Sequence, residues 1–337
     1  MRFPIYDKAR SRNWEKLLPP AWRFIVAVLI VSISGSSFGQ LTHNYLHVQY
    51  DSPWIYRDLK LIPVRFKEFS GGIKSYHEDG VIGFNNAMKE GKLSVRETRM
   101  SGGADIALLR VKNHSKKSIL VHGGEIVAGG KQDRIFASTT LIPPGSKETI
   151  LPVFCVEKGR WDRRPSRFRY GGMADVDLRK QMDLTQKQYR IWREIDKQLV
   201  AKSNKNPTWA YLDLYNDTSI IESDTSYLQF YKRKMRETDS AYAGFIAITG
   251  DRIINCELFG NSDLCLASYE SMIQSYARTV RSEDGGPRVD DKKVKEFLDR
   301  FMQSEDQQKS YLKKHGKMYL FGKMVIHLVA YPPEEPG

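Results

Sequence analysis

The sequence predicts an α+β fold: a β-rich core, sandwich-like or a partly open barrel, followed by helices and a smaller α/β C-terminal part. Three observations carry this. From Lys60 to Val156, short apolar or alternating runs are separated by Gly-, Asn- and Pro-containing turns, a spacing that suits packed or closing sheets better than βαβ units. Beyond residue 180 the apolar spacing lengthens to three and four residues, the period of a helix. Strand-like runs then return near the C-terminus.

Residues 1–39 read as an export signal. Six Lys/Arg flank or precede an apolar run from Phe24 to Ile33, and small residues at Ser37 and Gly39 suit a cut before Gln40. The apolar run is about half the roughly twenty residues that a membrane span needs. The expectation is an exported protein with no stable membrane span after cleavage; the alternative is an uncleaved N-terminal anchor. The whole chain carries +13; beyond the leader 47 basic residues face 38 acidic ones, a net +9. That charge suits anionic ligands, but it is dispersed and comes with no nucleic-acid motif, so nucleic acid is not expected as a partner.

Residues 40–60 form an N-terminal extension, and 61–165 a β-rich domain. Its strands are expected at Leu61–Phe66, Ala104–Val111, Ser118–Val121 and Thr149–Val156, with turns at Asn113-His-Ser115 and Pro143-Pro-Gly145 and one short helix, Phe84–Lys89. Residues 166–240 hold a basic linker and helices. Gly159–Gly172, with its many arginines, reads as an exposed connection. Asp183–Ser203 reads as one helix with Tyr189, Trp192, Ile195 and Leu199 on a core-facing stripe, and Thr225–Arg236 as another, with Ser219–Glu222 as a capping signal. Residues 241–331 read as hairpin, helix, helix and strand: Ala243–Thr249 and Arg252–Phe259 around a Gly250-Asp251 turn, helices from Asn261 to Thr279 and Asp290 to Met302, then Met318–Phe321 and Met324–Tyr331. Residues 332–337 are a tail. The three cysteines make no disulfide framework. Cys256 and Cys265 are read either as a pair, permitted in an oxidising compartment, or as free buried thiols.

Two polar clusters interrupt the β-rich region. His122–Arg134, HGGEIVAGGKQDR, is read as a Gly-rich loop, and Cys155–Trp161, CVEKGRW, closes the next strand. A phosphate-binding P-loop is excluded, because Glu125 stands six residues before Lys131 where that loop has glycine, and Gln132 follows where it has Ser or Thr. What remains is local chemistry. Gly129 and Gly130 allow positive φ or close approach of the backbone to a ligand. Lys131 and Arg134 suit a phosphate or carboxylate, and Gln132 both donates and accepts. Arg160 and Trp161 add a guanidinium and a stacking ring. Glu125 and Glu157, each near a strand end, are the candidate acid/base or cation-binding carboxylates. The competing reading makes the motif a rigidifying turn in which Glu125 pairs with Arg134 or Arg160. His122 adjoins the Gly-rich segment; His327 reads as a core histidine. The residues name no metal and no cofactor.

Gly124-Glu125, Gly129–Arg134, Pro152–Trp161, Ile191-Trp192, Gly244–Phe259, Ser275-Tyr276 and His327–Tyr331 resemble a domain family known by its association with ADP-ribosylglycohydrolases and rhodanese-phosphatases. The likeness runs from about Leu61 onward, and Asp133 departs from it where asparagine is expected. By association alone, the resemblance implies a nucleotide-like or ADP-ribose-like ligand and assigns no reaction.

Overall fold

The computed structural model describes residues 41–67, 80–100, 103–162, 166–237, 241–280 and 285–334. The expected leader lies outside them. Along the chain come β1 (Leu46–Val48), β2 (Trp54–Tyr56), β3 (Leu59–Phe66), β4 (Val81–Gly83), helix α1 (Phe84–Lys89), β5 (Leu93–Met100) and β6 (Gly103–Asn113). Then follow β7 (Ser118–Val121), β8 (Glu125–Gly130), β9 (Arg134–Phe136), β10 (Thr140–Ile142), β11 (Thr149–Cys155) and β12 (Ser166–Met173). Helices α2 (Val176–Thr185), α3 (Gln188–Ala201) and α4 (Thr218–Arg236) lead to the hairpin β13 (Tyr242–Thr249) and β14 (Arg252–Phe259). The chain closes with α5 (Ser262–Thr279), α6 (Asp291–Asp299), α7 (Glu305–His315), β15 (Gly316–Phe321) and β16 (Met324–Ala330). The fold is α+β, as the sequence predicts.

Two large sheets organise the molecule. One runs β12-β8-β9-β11-β6-β5, and its edge strands β12 and β5 approach each other, so that it nearly closes into a barrel. The other runs β1-β3-β13-β14-β16-β15, with β2 also on β3. Strand alternation divides their surroundings. In β8, Val127 faces the barrel core with Phe136 and Val153, while Ile126 packs under the helices with Leu178 and Ile195. In β14, Cys256 and Leu258 face the layer holding Val294 and Phe301, whereas Phe259 faces α5 through Leu264 and Tyr276. No helix among the described residues is long and apolar enough to cross a membrane.

Several local readings are corrected. The stretch read as a Gly-rich loop is mostly strand: Glu125–Gly130 is β8, and the turn to β9 is confined to residues 131–133. The run Ile126-Val127-Ala128 is apolar enough to be buried on both faces, and this outweighs its glycines. The Arg-rich connection carries β12, whose Phe168 and Tyr170 alternate inward against the barrel core while Arg167 and Arg169 stay outside. The helix expected at 183–203 is two, broken at Gln186, whose φ of 50° is left-handed and whose side-chain amide caps the Met182 carbonyl at 2.8 Å. Its apolar stripe holds for Ile195 and Leu199, but Tyr189 is 55% exposed and Ile191 takes the buried place. Helix α4 begins earlier than expected, at Thr218, capped by Asp217 rather than by Ser219. Helix α7 is unforeseen because its buried side is narrow, Gln308 and Leu312 alone, although Ser304 caps it and its charges follow the helix dipole. Cys155, Cys256 and Cys265 are free and buried. Cys256 and Cys265 lie on opposite faces of the second sheet, which rules out their pairing.

Candidate functional site

The β8–β9 turn and the segment after β11 form one charged knot at the mouth of the barrel. Arg160 is its centre. Its guanidinium meets Glu157 at 2.7 Å, Asp133 at 2.9 Å and Asp162 at 2.6 Å, and donates to the carbonyls of Gly129 and Gly130 at 3.2 and 3.0 Å. The backbone amides are occupied as well. Gly129 N–H donates to Asp133 Oδ1 at 2.8 Å, Lys131 N–H to Glu97 Oε1 at 2.8 Å, and Asp133 N–H to Glu157 Oε2 at 3.2 Å. Three carboxylates therefore fill the amides that a phosphate-cradling turn leaves open. Gly129 and Gly130, with φ of 112° and 56°, are needed here for backbone reasons; a Cβ on Gly130 would stand 2.1 Å from the Phe168 ring. Burial pushes the Asp133 carboxyl up and the Glu157 charge adds to the rise, against the opposing pull of the Gly129 N–H and of Arg160. Burial disfavours the Arg160 charge, but Glu157 and Asp162 more than restore it, so its pKa is raised.

Lys131 points away from the knot, its ammonium 4.8 Å from the centroid of the Trp161 ring, and that ring is 47% exposed. Arg134 is different in kind. It is completely buried on the inward face of β9, beside its cross-strand neighbour Cys155. Its Nη1 donates to Gln132 Oε1 at 3.1 Å and weakly to the Asp133 carbonyl at 3.4 Å, while Nε and Nη2 have no partner. No carboxylate pairs with it among the described residues. Glu97, which uses Oε1 on Lys131 N–H, keeps a buried Oε2 without a partner at the same end of the barrel. Burial raises the pKa of the Cys155 thiol; the charges of Arg134 and Glu97 act on it in opposite directions.

Glu125 lies elsewhere. It starts β8, while Glu157 serves the other end, roughly 16 Å away at a strand rise of about 3.3 Å per residue. Glu125 accepts from Ser271 Oγ at 2.7 Å and from His122 N–H at 2.9 Å. Burial pushes its carboxyl up to about 8. It pairs with neither Arg134 nor Arg160. The structure thus brings together Gly129, Gly130, Lys131, Gln132, Arg134, Glu157, Arg160 and Trp161, and leaves Glu125 apart.

A second, wholly buried cluster escaped sequence reasoning. Glu257 of β14 accepts both prongs of Arg179 at 2.9 and 2.7 Å, Asn255 Nδ2 at 2.9 Å and Tyr276 Oη at 3.0 Å, with His122 and His327 Nε2 each at 3.2 Å. His122 Nε2 lies 3.2 Å from Arg179 Nη2 as well as from Glu257 Oε2, shared between a donor and an acceptor, while its Nδ1 has no partner. Burial takes the His122 imidazole down to about 3, so it is neutral. Burial alone would raise Glu257; Arg179 and the two histidines hold it well below the carboxylate range instead. His122, Glu257 and His327 put one ligand atom each within 4.8 Å of one another, but Arg179 already holds both oxygens of Glu257, so a metal ion would have to displace a guanidinium. The donor set fits a hydrogen-bonded hub that ties the barrel, α2, α5 and the second sheet together. In sequence His122 and His327 stood out only singly, and Asn255, Glu257 and Tyr276 only within the motifs of the family resemblance, with nothing to join them.

An α+β protein with a self-neutralised charged turn around Arg160 at a barrel mouth, beside a buried arginine, Arg134, that no carboxylate pairs among the described residues, is the class that this geometry defines. The chain belongs to the family of the ARG and Rhodanese-Phosphatase-superfamily-associated Protein domain, whose model matches residues 47–330. No curated protein and no solved structure matches it.

Proposed function

We propose that this is an exported binding protein that holds a phosphorylated, nucleotide-like or ADP-ribose-like ligand at the barrel mouth. The carrying observation is Arg134, a fully buried guanidinium with Nε and Nη2 unused and no counter-ion among the described residues. Burying an unpaired charge costs several kcal/mol, a cost that an incoming phosphate or carboxylate offsets by bidentate contact. Lys131 adds a second cation, and Trp161 offers an exposed face for a planar base. Glu125 and Glu157 stand too far apart to divide acid and base roles on one bond, so the proposal is binding rather than catalysis. Thermal-shift titration of ADP-ribose, ADP and inorganic phosphate tests it. A saturable rise that disappears in a Lys131→Ala, Arg134→Met double variant is expected; no rise with any of the three refutes it. Export is tested by the N-terminus of the protein recovered outside the cytoplasm, expected to begin at Gln40.

A second reading, an envelope module for a protein or glycan in which the motif only rigidifies the fold, draws on the saturated turn amides and the fully engaged Arg160. It is favoured if the double variant keeps its partner protein while binding none of the three anions.

A further inference from the structure

A separate hollow opens at the far end of the second sheet, between the β13–β14 turn, the start of α2, helix α6 and Pro332-Pro333. Its volume is about 860 Å³, within the range of small-ligand sites. Smaller hollows of about 380 and 360 Å³ adjoin it and share Lys180 and Glu334. The apolar part of its lining is Val176, Ile254, Val289 and Phe297. Thr249 also lines it. This residue is wholly buried, and its hydroxyl finds no hydrogen-bond partner, an omission that a buried polar group rarely shows unless something else completes it.

The charges around the hollow sort into two groups. Arg288 is locked on Asp251 by two contacts of 2.7 Å, Lys180 meets Glu334 at 3.3 Å, and Arg252 lies 3.9 Å from Asp177. Lys293 and Arg300 are exposed and form no salt bridge among the described residues, with Glu296 as the acid between them. Lys293, Phe297 and Arg300 follow one another at helical spacings of four and three, so one stripe of α6 and its C-cap residue presents a cation, a ring and a cation to the hollow.

We infer that this hollow is a binding site for a small amphipathic anion, its apolar body on Val176, Ile254, Val289 and Phe297, its carboxylate or phosphate reached by Lys293 and Arg300, and a polar atom of the ligand bonded to Thr249. The site is independent of Arg134 and stands or falls without it. Decyl phosphate, decanoate and decanol, each below its micellar concentration, are titrated calorimetrically into the full-length protein. Saturation at one equivalent by the two anions, at least tenfold tighter than decanol, is expected. The exposed double variant Lys293→Glu, Arg300→Glu should weaken decyl phosphate at least tenfold, and the isosteric Thr249→Val should weaken it three- to tenfold. No saturation by either anion, decanol binding as tightly as decyl phosphate, or equal affinities in the wild type and the charge-reversed protein would overturn the inference.

Discussion

Replacing Arg134 by methionine should stabilise the ligand-free protein. Of the five guanidinium N–H groups, the two on Nη1 have acceptors at 3.1 and 3.4 Å, while the three on Nε and Nη2 have none. Each unmade buried hydrogen bond costs about 1–3 kcal/mol, whereas each bond made contributes only about 0.5–1.5 kcal/mol. Methionine keeps most of the side-chain volume and suits the neighbouring Phe136 and Cys155, so little packing is lost. The expected balance is a gain of about 2 kcal/mol, or about 4 °C in Tm for a chain of this size. Urea unfolding measures it, with an unchanged m value as the control for two-state behaviour. The same variant should lose the ligand-induced rise in Tm, a trade of function for stability. A loss of more than about 1 kcal/mol at constant m would show that the guanidinium is satisfied in the free protein, and the argument for an anion at Arg134 would fall with it.

Other expectations follow from the buried groups. Glu125 is raised from 4.5 to about 8, so the folded state binds the extra proton between those values, and its stabilising effect, complete below pH 4.5, is lost as pH rises through 8. His122 is lowered from 6.5 to about 3, so its contribution is present above 6.5 and lost as pH falls through 3; Glu257, also lowered, adds to the acid-side loss. The two opposing slopes overlap between pH 4.5 and 6.5, and stability measured across pH should peak there; a profile still rising from pH 7 to 9 contradicts the burial of a protonated Glu125. Arg179→Met should cost about 3–5 kcal/mol in chemical denaturation, because it leaves Glu257 buried without its cation; a loss below 1 kcal/mol would mean that the hub is not built on this pair. All three cysteines should react with a thiol reagent in denaturant and none quickly in the native protein; two reactive thiols missing after denaturation would reveal a disulfide.

Sequence periodicity carried the α+β class, the β13–β14 hairpin around Gly250-Asp251, and the helix from Asn261, whose side chain does cap Leu264 N–H. Each depends on neighbours within a few residues, and there local chemistry decides the outcome. The charged motif was legible as a place, since Lys131, Arg134, Glu157, Arg160 and Trp161 do converge at one barrel end. Which of its groups remain available was not. That depends on Glu97, whose side chain reaches across from β5 to take Lys131 N–H, and on a count of donors and acceptors that only register and closure of the barrel complete. The Arg179–Glu257 hub lay further out of reach, because its members come from β14, β16, α2, α5 and the turn before β8, with up to 205 positions between His122 and His327. Sequence by itself therefore determined which segments bury an apolar face and where charge is concentrated. Tertiary structure alone decided which charges neutralise one another, since pairing across long separations is set by how sheets and helices pack and carries no periodic trace along the chain.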